Sequence, residues 1–149
     1  MLMDSSFEQF EGWQVPRPPE LNEERAHSGR YSLRLGDGAE YGAAYHTLLD
    51  RCAAPPRKVQ LSAWVYFPSG RIGSTNLVLE VNCHGRRPNV WQAFDVEQVV
   101  RRFRKWEPVH KLYHLPADLQ PSDELKLYVW HGERGGENIW LDDMRLEAE

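Results

Sequence analysis

The chain has 149 residues, a formal net charge of -4 and a hydrophobic fraction of 41%. This length suits one domain that buries its own core. The net negative charge argues against a nucleic-acid partner, because such proteins usually present a basic face. The single basic run, residues 101–105, is expected to be a solvated surface.

Two cysteines are too few for a disulfide framework. We expect Cys83 to be a buried free thiol, and a Cys52–Cys83 disulfide is the alternative in an exported protein. No apolar stretch approaches the length of a transmembrane helix, so membrane insertion is not expected. The first residues do not form a signal peptide, and the chain passes abruptly into Phe7-Glu8. We therefore expect a module of a longer exported or cell-surface protein, with a cytoplasmic protein as the alternative.

Alternating apolar and polar residues predict about nine β-strands and almost no helix. In chain order these strands are 6–10, 31–35, 40–49, 61–67, 77–84, 89–96, 108–115, 125–131 and 139–146. The one helix candidate is Val96–Lys105, with Asp95 as its N-cap and Gln98 completing a capping box. Many short strands at even spacing predict an antiparallel sandwich or barrel, formed by one domain over residues 1–149.

The alternation also sorts side chains by sheet face. The predicted core residues are Leu61, Ala63, Val65, Phe67, Leu77, Leu79, Val81, Cys83, Leu125, Leu127 and Val129. The opposite faces carry aromatic and hydrogen-bonding residues: Trp64, Tyr66, Glu80, Asn82, His84, Tyr128 and Trp130. Aromatic rings pack against sugar rings, and polar groups read the sugar hydroxyls. If these strands are neighbours they form one platform; otherwise a loop covers the aromatics, which then form a second small core.

Several blocks in order resemble a known family. They are Phe7-Glu8 with Trp13, Ala26–Leu33, Ser62–Tyr66, Trp106–Val109 and Trp140–Met144. Together they resemble the jelly-roll carbohydrate-binding modules of the galactose-binding-like type, over almost the whole chain. The resemblance implies an all-β fold, a jelly-roll sandwich of two antiparallel sheets with one short helix or loop insertion.

The resemblance also implies a structural calcium ion where the first and last strands meet. Its ligands would be Glu8, backbone carbonyls of the turn from Ser28 to Arg30, and Asp142, since Ca²⁺ prefers several hard oxygen ligands. Asp142 is expected to share an inward face with Met144 and Leu146. The alternative is that Asp142 pairs with backbone amides or Arg30 and holds no metal.

For the sugar site, the resemblance implies the concave sheet face, with Trp64, Tyr66, Tyr128 and Trp130 stacking on sugar. Glu80, Asn82 and His84 would bind hydroxyl groups. A site at the loop tips is the alternative, with Trp13, Trp91 and His131. The segment 101–106 is the one insertion expected to cover or shape the concave face.

Enzymatic activity is not expected. Glycoside hydrolysis needs two carboxylates across the scissile bond, and Glu80 is the one acidic residue on the predicted face, with Glu97 or Glu107 as a partner from a loop. A lyase would use Tyr66, His84 or Tyr128 as its base. His110 and His114 share a predicted strand face and could form a transition-metal site with His84 or His131, but no His-x-His or Cys-x-x-Cys spacing supports one, and surface histidines are the favoured interpretation.

We therefore predict a non-catalytic module that binds a polysaccharide or oligosaccharide and is joined to other domains of a parent protein. A protein-interaction sandwich of a surface or adhesion assembly is the alternative. It would use the same fold with its aromatic face buried. A small glycoside hydrolase or lyase is the third hypothesis.

Overall fold

In a computed structural model of the chain, the described residues are 3–5, 21–22, 25–29, 32–35, 41–69, 75–131 and 139–149. They form an all-β structure with two short 3₁₀ turns, Leu49–Arg51 and Val96–Gln98. The strands are β1 (Met3–Ser5), β2 (Leu21–Asn22), β3 (Ser32–Leu35), β4 (Tyr41–Leu48), β5 (Lys58–Tyr66), β6 (Thr75–Asn82), β7 (Val90–Asp95), β8 (Trp106–His114), β9 (Glu124–His131) and β10 (Ile139–Ala148).

The strands form two antiparallel sheets. The six-stranded sheet has the order β2-β3-β10-β5-β8, with β1 also paired to β10. The four-stranded sheet has the order β4-β9-β6-β7. Long strands with one apolar face bury that face against a second sheet, and the predicted sandwich of two antiparallel sheets is confirmed.

The core lies between the two sheets, and every predicted core position on β5, β6 and β9 is buried there. The strictly alternating burial of β5 shows how the sequence dictates this arrangement, because successive side chains of a strand point to opposite faces. The inward face of β10 adds Ile139, Leu141, Met144 and Leu146.

A β-bulge interrupts β10 between Asp142 and Arg145. Asp143 has a φ of 46°, a left-handed backbone conformation that is uncommon outside glycine. The extra residue shifts the alternation by one position, as bulges do. Asp142 therefore pairs with Trp64 on the outer face, whereas Met144 lies in the core. The expected inward face shared by Asp142 and Met144 is wrong for this reason.

The predicted helix over Val96–Lys105 is also wrong beyond its first turn. Asp95 does act as the N-cap, because its Oδ1 accepts a hydrogen bond from Glu97 N. The turn ends at Gln98, and Arg104 adopts a φ of 59°, which no right-handed helix contains. Good capping therefore starts a single turn that the following residues do not continue.

The predicted strand 6–10 and the residues Glu8, Trp13 and Arg30 lie outside the described residues. Cys52 and Cys83 are both free thiols, and burial raises the pKa of Cys83. In the described part of the chain, no helix has the length and apolar character needed to cross a bilayer.

Tyr113 links the two sheets through the core. It lies on β8, it is fully buried, and its hydroxyl donates a hydrogen bond of 2.8 Å to the backbone carbonyl of Leu77 on β6. Burial raises the pKa of this phenol, which stays a donor.

We predict that Tyr113→Phe lowers the free energy of unfolding by about 1–2 kcal/mol, because the substitution removes one buried hydrogen bond and keeps the ring. Tyr113→Ala should cost more, about 3–5 kcal/mol, because it also leaves a cavity. Urea denaturation of the three proteins measures both effects. If Tyr113→Phe has the same free energy of unfolding as the wild type, the hydrogen bond between Tyr113 and Leu77 does not contribute to stability.

Candidate functional site

The predicted ligand residues divide between two sheets. Trp64 and Tyr66 lie on β5 of the six-stranded sheet. Glu80 and Asn82 lie on β6, and Tyr128 and Trp130 lie on β9, in the four-stranded sheet. Because the two sheets turn opposite outer faces to the surroundings, the single platform that combines all four aromatic residues is wrong. Alternation along a strand assigns a face but not a sheet.

The aromatic face of the six-stranded sheet is covered by residues 25–29. The His27 ring stacks on Trp64, with centroids 4.0 Å apart and planes at 16°. The guanidinium of Arg25 lies 4.3 Å from the Tyr66 centroid and 4.8 Å from that of Trp140. Cations over aromatic faces are attractive contacts. The aromatic residues of this sheet therefore form a second small core, as the covered-face alternative predicts.

Two carboxylates of β10 hold this covering segment in place. Asp142 Oδ2 accepts hydrogen bonds from the backbone amides of His27 and Ser28, at 2.9 and 3.1 Å. Asp143 accepts from the Ser28 hydroxyl and pairs with His27 Nδ1, each at 2.6 Å. Residues 25–29 are thus held by Asp142 and Asp143, the same neighbouring residues at which the bulge occurs.

Asp142 is fully buried and also accepts the amide of Asp143 through Oδ1, at 2.8 Å. Desolvation raises the pKa of this carboxyl to about 6, although the three amide donors oppose that shift. Three N–H groups take three of about four lone-pair positions. Among the described residues one lone-pair position on Oδ1 has no recorded donor, and a carboxylate oxygen is a ligand type that suits Ca²⁺.

The outer face of the four-stranded sheet carries a different set of aromatic residues. Trp91 of β7 and Trp130 of β9 meet edge to face, with centroids 6.0 Å apart and planes at 66°. Trp91 Nε1 lies 3.0 Å from the Tyr128 hydroxyl and donates to it. We call Trp91, Tyr128 and Trp130 the aromatic cluster. It lies over β6, where Val78 pairs with Tyr128 and is completely buried.

Polar residues flank the aromatic cluster on the same face. The strand register places Glu80 of β6 between Trp91 and Lys126. Lys126 Nζ lies 5.1 Å from the Tyr128 centroid. At the other end of the cluster, Asn76 lies between Trp130 and Asp95. The face therefore combines flat apolar rings with charged groups that accept or donate hydrogen bonds.

Asn82 and His84 lie at the end of β6, where their polar groups stabilise the turn into β7. Asn82 Oδ1 accepts the backbone amide of His84 at 3.0 Å. His84 has a φ of 54°, and its Nε2 lies 3.1 Å from the carbonyl of Ser122. These contacts give both residues a structural role in the protein without ligand.

The loop-tip alternative groups Trp91 with Trp13 and His131, but Trp91 lies within β7, on the outer face of the four-stranded sheet. The alternation of the predicted strand 89–96 contains the missing signal, because Val90 and Phe94 point into the core and Trp91 must then point outward. Its side chain is 48% exposed, which makes it the most accessible ring of the aromatic cluster.

The other chemical hypotheses receive less support. Glu107 lies on β8 of the six-stranded sheet, so it cannot face Glu80 across one sugar bond. Across the part of the chain that the structure describes, no group of three or more His, Cys, Asp or Glu residues is arranged to hold a metal ion.

We predict that the buried carboxyl of Asp142 makes metal-free protein less stable as pH rises from about 4 to 6. The folded-state pKa lies above the usual 3.8. The unfolded chain therefore ionises first, and the penalty for ionising the folded protein grows to about 3 kcal/mol. Asp142→Asn should remove the part of the decrease that comes from Asp142. His27 and Asp143, which also lie at this site, are kept in that variant.

Urea denaturation in EDTA between pH 4 and pH 7 measures this effect. Asp118→Asn is the matched control, because Asp118 is an exposed carboxyl beside Arg87 that should leave the decrease unchanged. A decrease that persists unaltered in the Asp142 variant would contradict the prediction.

No known family model and no curated protein sequence matches this chain. Solved structures do match it. The C-terminal family 22 carbohydrate-binding module of Clostridium thermocellum Xyn10B is 17% identical, with a TM-score of 0.66 over 98% of this chain and 91% of that chain. The CBM22-2 xylan-binding domain of Paenibacillus barcinonensis Xyn10C is 15% identical, with a TM-score of 0.65 over 100% of both chains.

A third match contains a catalytic module. The CBM22-1-GH10 modules of the Clostridium thermocellum xylanase 10B, complexed with xylohexaose, are 11% identical with a TM-score of 0.66. This chain is covered over 99% of its length and spans 28% of that chain. At these identities the likeness is one of fold. The chain has the jelly-roll β-sandwich fold of carbohydrate-binding modules, as the resemblance in the sequence predicts.

Proposed function

We propose that this chain is a non-catalytic carbohydrate-binding module, and that a polysaccharide binds across the outer face of the four-stranded sheet. The observation that carries the proposal is the aromatic cluster, in which an exposed tryptophan adjoins a second tryptophan and a tyrosine. The equivalent aromatic face of the other sheet is already covered by residues 25–29.

The two tryptophan rings of the aromatic cluster are inclined to each other, which suits a chain of several sugars rather than one sugar. The Trp91 and Trp130 rings meet at 66°, so one flat sugar ring cannot stack on both. Successive sugars must therefore turn relative to one another to use both rings. Glu80 and Lys126 lie beside the stacked position, where an acceptor and a donor can bind hydroxyl groups and fix the orientation of the chain.

The proposed site therefore consists of Trp91, Tyr128, Trp130, Glu80 and Lys126. Asn82 and His84 stay as predicted ligand residues at the end of this face, whereas we assign Trp64 and Tyr66 to packing. Xylan is the first polysaccharide to test, because two of the similar solved structures are described as a xylan-binding domain and as modules complexed with xylohexaose.

We also propose that the chain works as one module of a larger exported protein and does not itself cleave sugar. Similar modules occur in one chain with a catalytic module. Hydrolysis needs two carboxylates across a bond. On the described face, Glu80 is flanked in register by Trp91 and Lys126 rather than by a second carboxylate.

We predict that Trp91→Ala and Trp130→Ala each weaken binding to soluble xylan by about tenfold or more, because each removes a stacking surface at the proposed site. Trp64→Ala is the matched control. It should lower the melting temperature, because it removes the ring under His27, and leave the affinity unchanged. Tryptophan fluorescence titration with xylan and a panel of other soluble polysaccharides measures all three.

A weaker affinity in the Trp64 variant alone would move the site to the six-stranded sheet. The absence of a saturable fluorescence change with every polysaccharide in the panel would contradict the proposed function.

The structural Ca²⁺ remains a separate proposal, with Glu8, the backbone at Ser28 and Arg30, and Asp142 as its ligands. What supports it is the buried carboxylate beside a turn, with one lone-pair position left. When bound, the ion would supply positive charge that keeps Asp142 ionised.

We predict that EDTA lowers the melting temperature by roughly 5 °C or more, because loss of an ion bound only to the folded state removes its stabilisation. Sugar affinity should not change, because Asp142 lies on the six-stranded sheet and the aromatic cluster on the other. Melting with Ca²⁺ and with EDTA measures the effect, and Asp142→Ala should abolish it. Identical curves would mean that the three amides alone satisfy Asp142.

A further inference from the structure

Residues 101–105 form a basic segment between β7 and β8. Their sequence is Arg-Arg-Phe-Arg-Lys, and all five side chains are exposed. Taking these four cations away from the formal net charge of -4 leaves the rest of the chain at -8. The basic segment is therefore a local reversal of charge on an otherwise acidic molecule. Such a reversal attracts anionic groups to one place on the surface.

The basic segment has a defined backbone conformation. The backbone amide of Arg104 donates a hydrogen bond of 2.8 Å to the carbonyl of Phe67, directly after β5. Arg104 has a φ of 59°, which is disfavoured for a residue with a Cβ atom. The tertiary contact therefore holds the backbone at Arg104 in a conformation that a free loop would rarely adopt.

Protein groups neutralise little of this charge. Among the described residues, the ion pair recorded for the segment joins Arg102 Nε to Glu107 Oε1 at 4.0 Å, and the Arg102 side chain is still 70% exposed. Phe103 and Val99 add exposed apolar surface beside the cations. Guanidinium groups bind carboxylates through two parallel hydrogen bonds, which makes them suited to carboxylate ligands.

The basic segment follows β7, whose last residue lies at one end of the proposed sugar site. Asp95 ends β7 and pairs with Asn76, which pairs with Trp130 of the aromatic cluster. Six residues of chain, about 21 Å at most, lead from Asp95 to Arg101. Asp95 would repel an anionic group at this end of the sheet face, and Lys126 lies at the opposite end, where it is paired in register with Glu80. Negative charge on a bound glycan is therefore favoured beyond Asp95, where the cations lie.

We propose that residues 101–105 form a second subsite that selects polysaccharides carrying carboxylate groups. Uncharged sugars lie on the aromatic cluster, and a carboxylate of the same chain pairs with Arg101, Arg102 or Lys105. This inference rests on the proposed function. A single glycan chain can touch the basic segment alone, whereas an anionic membrane would also face the remaining charge of -8.

The test compares two forms of one polymer, glucuronoxylan and the same glucuronoxylan after its carboxylates are reduced to alcohols. Titration calorimetry with the full chain should show about tenfold tighter binding of the carboxylated form at low salt, because two or three exposed ion pairs form. The preference should largely disappear at about 0.5 M NaCl, where charges are screened. Equal affinity for the two polymers would overturn the inference and leave the proposed function standing. Binding of neither polymer would overturn both.

A pair of matched variants localises the effect. The variant R101Q/R102Q/K105Q should lose the preference and keep its affinity for the reduced polymer. The control variant R57Q/K58Q/K111Q removes the same total charge elsewhere and should keep the preference. If both variants lose the preference for the carboxylated polymer equally, overall charge explains the preference and the inference of a local subsite is overturned. Two results together would overturn the inference in favour of a membrane surface. The wild-type protein would show no preference between the polymers, and it would bind phosphatidylserine vesicles that R101Q/R102Q/K105Q does not bind.

Discussion

The bulge in β10 is the constraint on which the arrangement of the outer face of the six-stranded sheet depends. By inserting Asp143 with a left-handed backbone, it lets Met144 return to the core while Asp142 remains on the outside. Two adjacent carboxylates then reach residues 25–29 and hold them over the aromatic residues of the six-stranded sheet. Without the bulge, a regular strand would direct either Asp142 or Met144 to the wrong side.

One consequence is a division of roles between two faces with similar composition. Both carry tryptophan and tyrosine beside charged groups. On the six-stranded sheet the chain's own Arg25 and His27 occupy the ring faces. On the four-stranded sheet Trp91 keeps about half of its surface exposed. Composition alone does not distinguish a binding surface from a second core, because the difference lies in what covers the rings.

Much of the fold could be predicted from the sequence, since alternation is a local property. The inward residues of β5, β6 and β9 are predicted correctly because burial follows directly from strand geometry. The partition of Trp64 and Trp130 between different sheets could not be predicted, because it depends on strand order. The role of Asp142 depends on one backbone angle at Asp143, and the left-handed backbone of Arg104 accompanies a hydrogen bond to the distant residue Phe67. Such features arise from tertiary contacts rather than from local pattern.

The strand order also constrains how the protein is made. β10 is the last strand of the sandwich in chain order, yet it lies inside the six-stranded sheet and pairs with β1, β3 and β5. During synthesis, the earlier strands of this sheet therefore leave the ribosome without the strand that joins them, and their aromatic residues stay exposed until β10 follows. Folding must wait for contacts between distant parts of the chain, which makes it slow and favours assistance by chaperones.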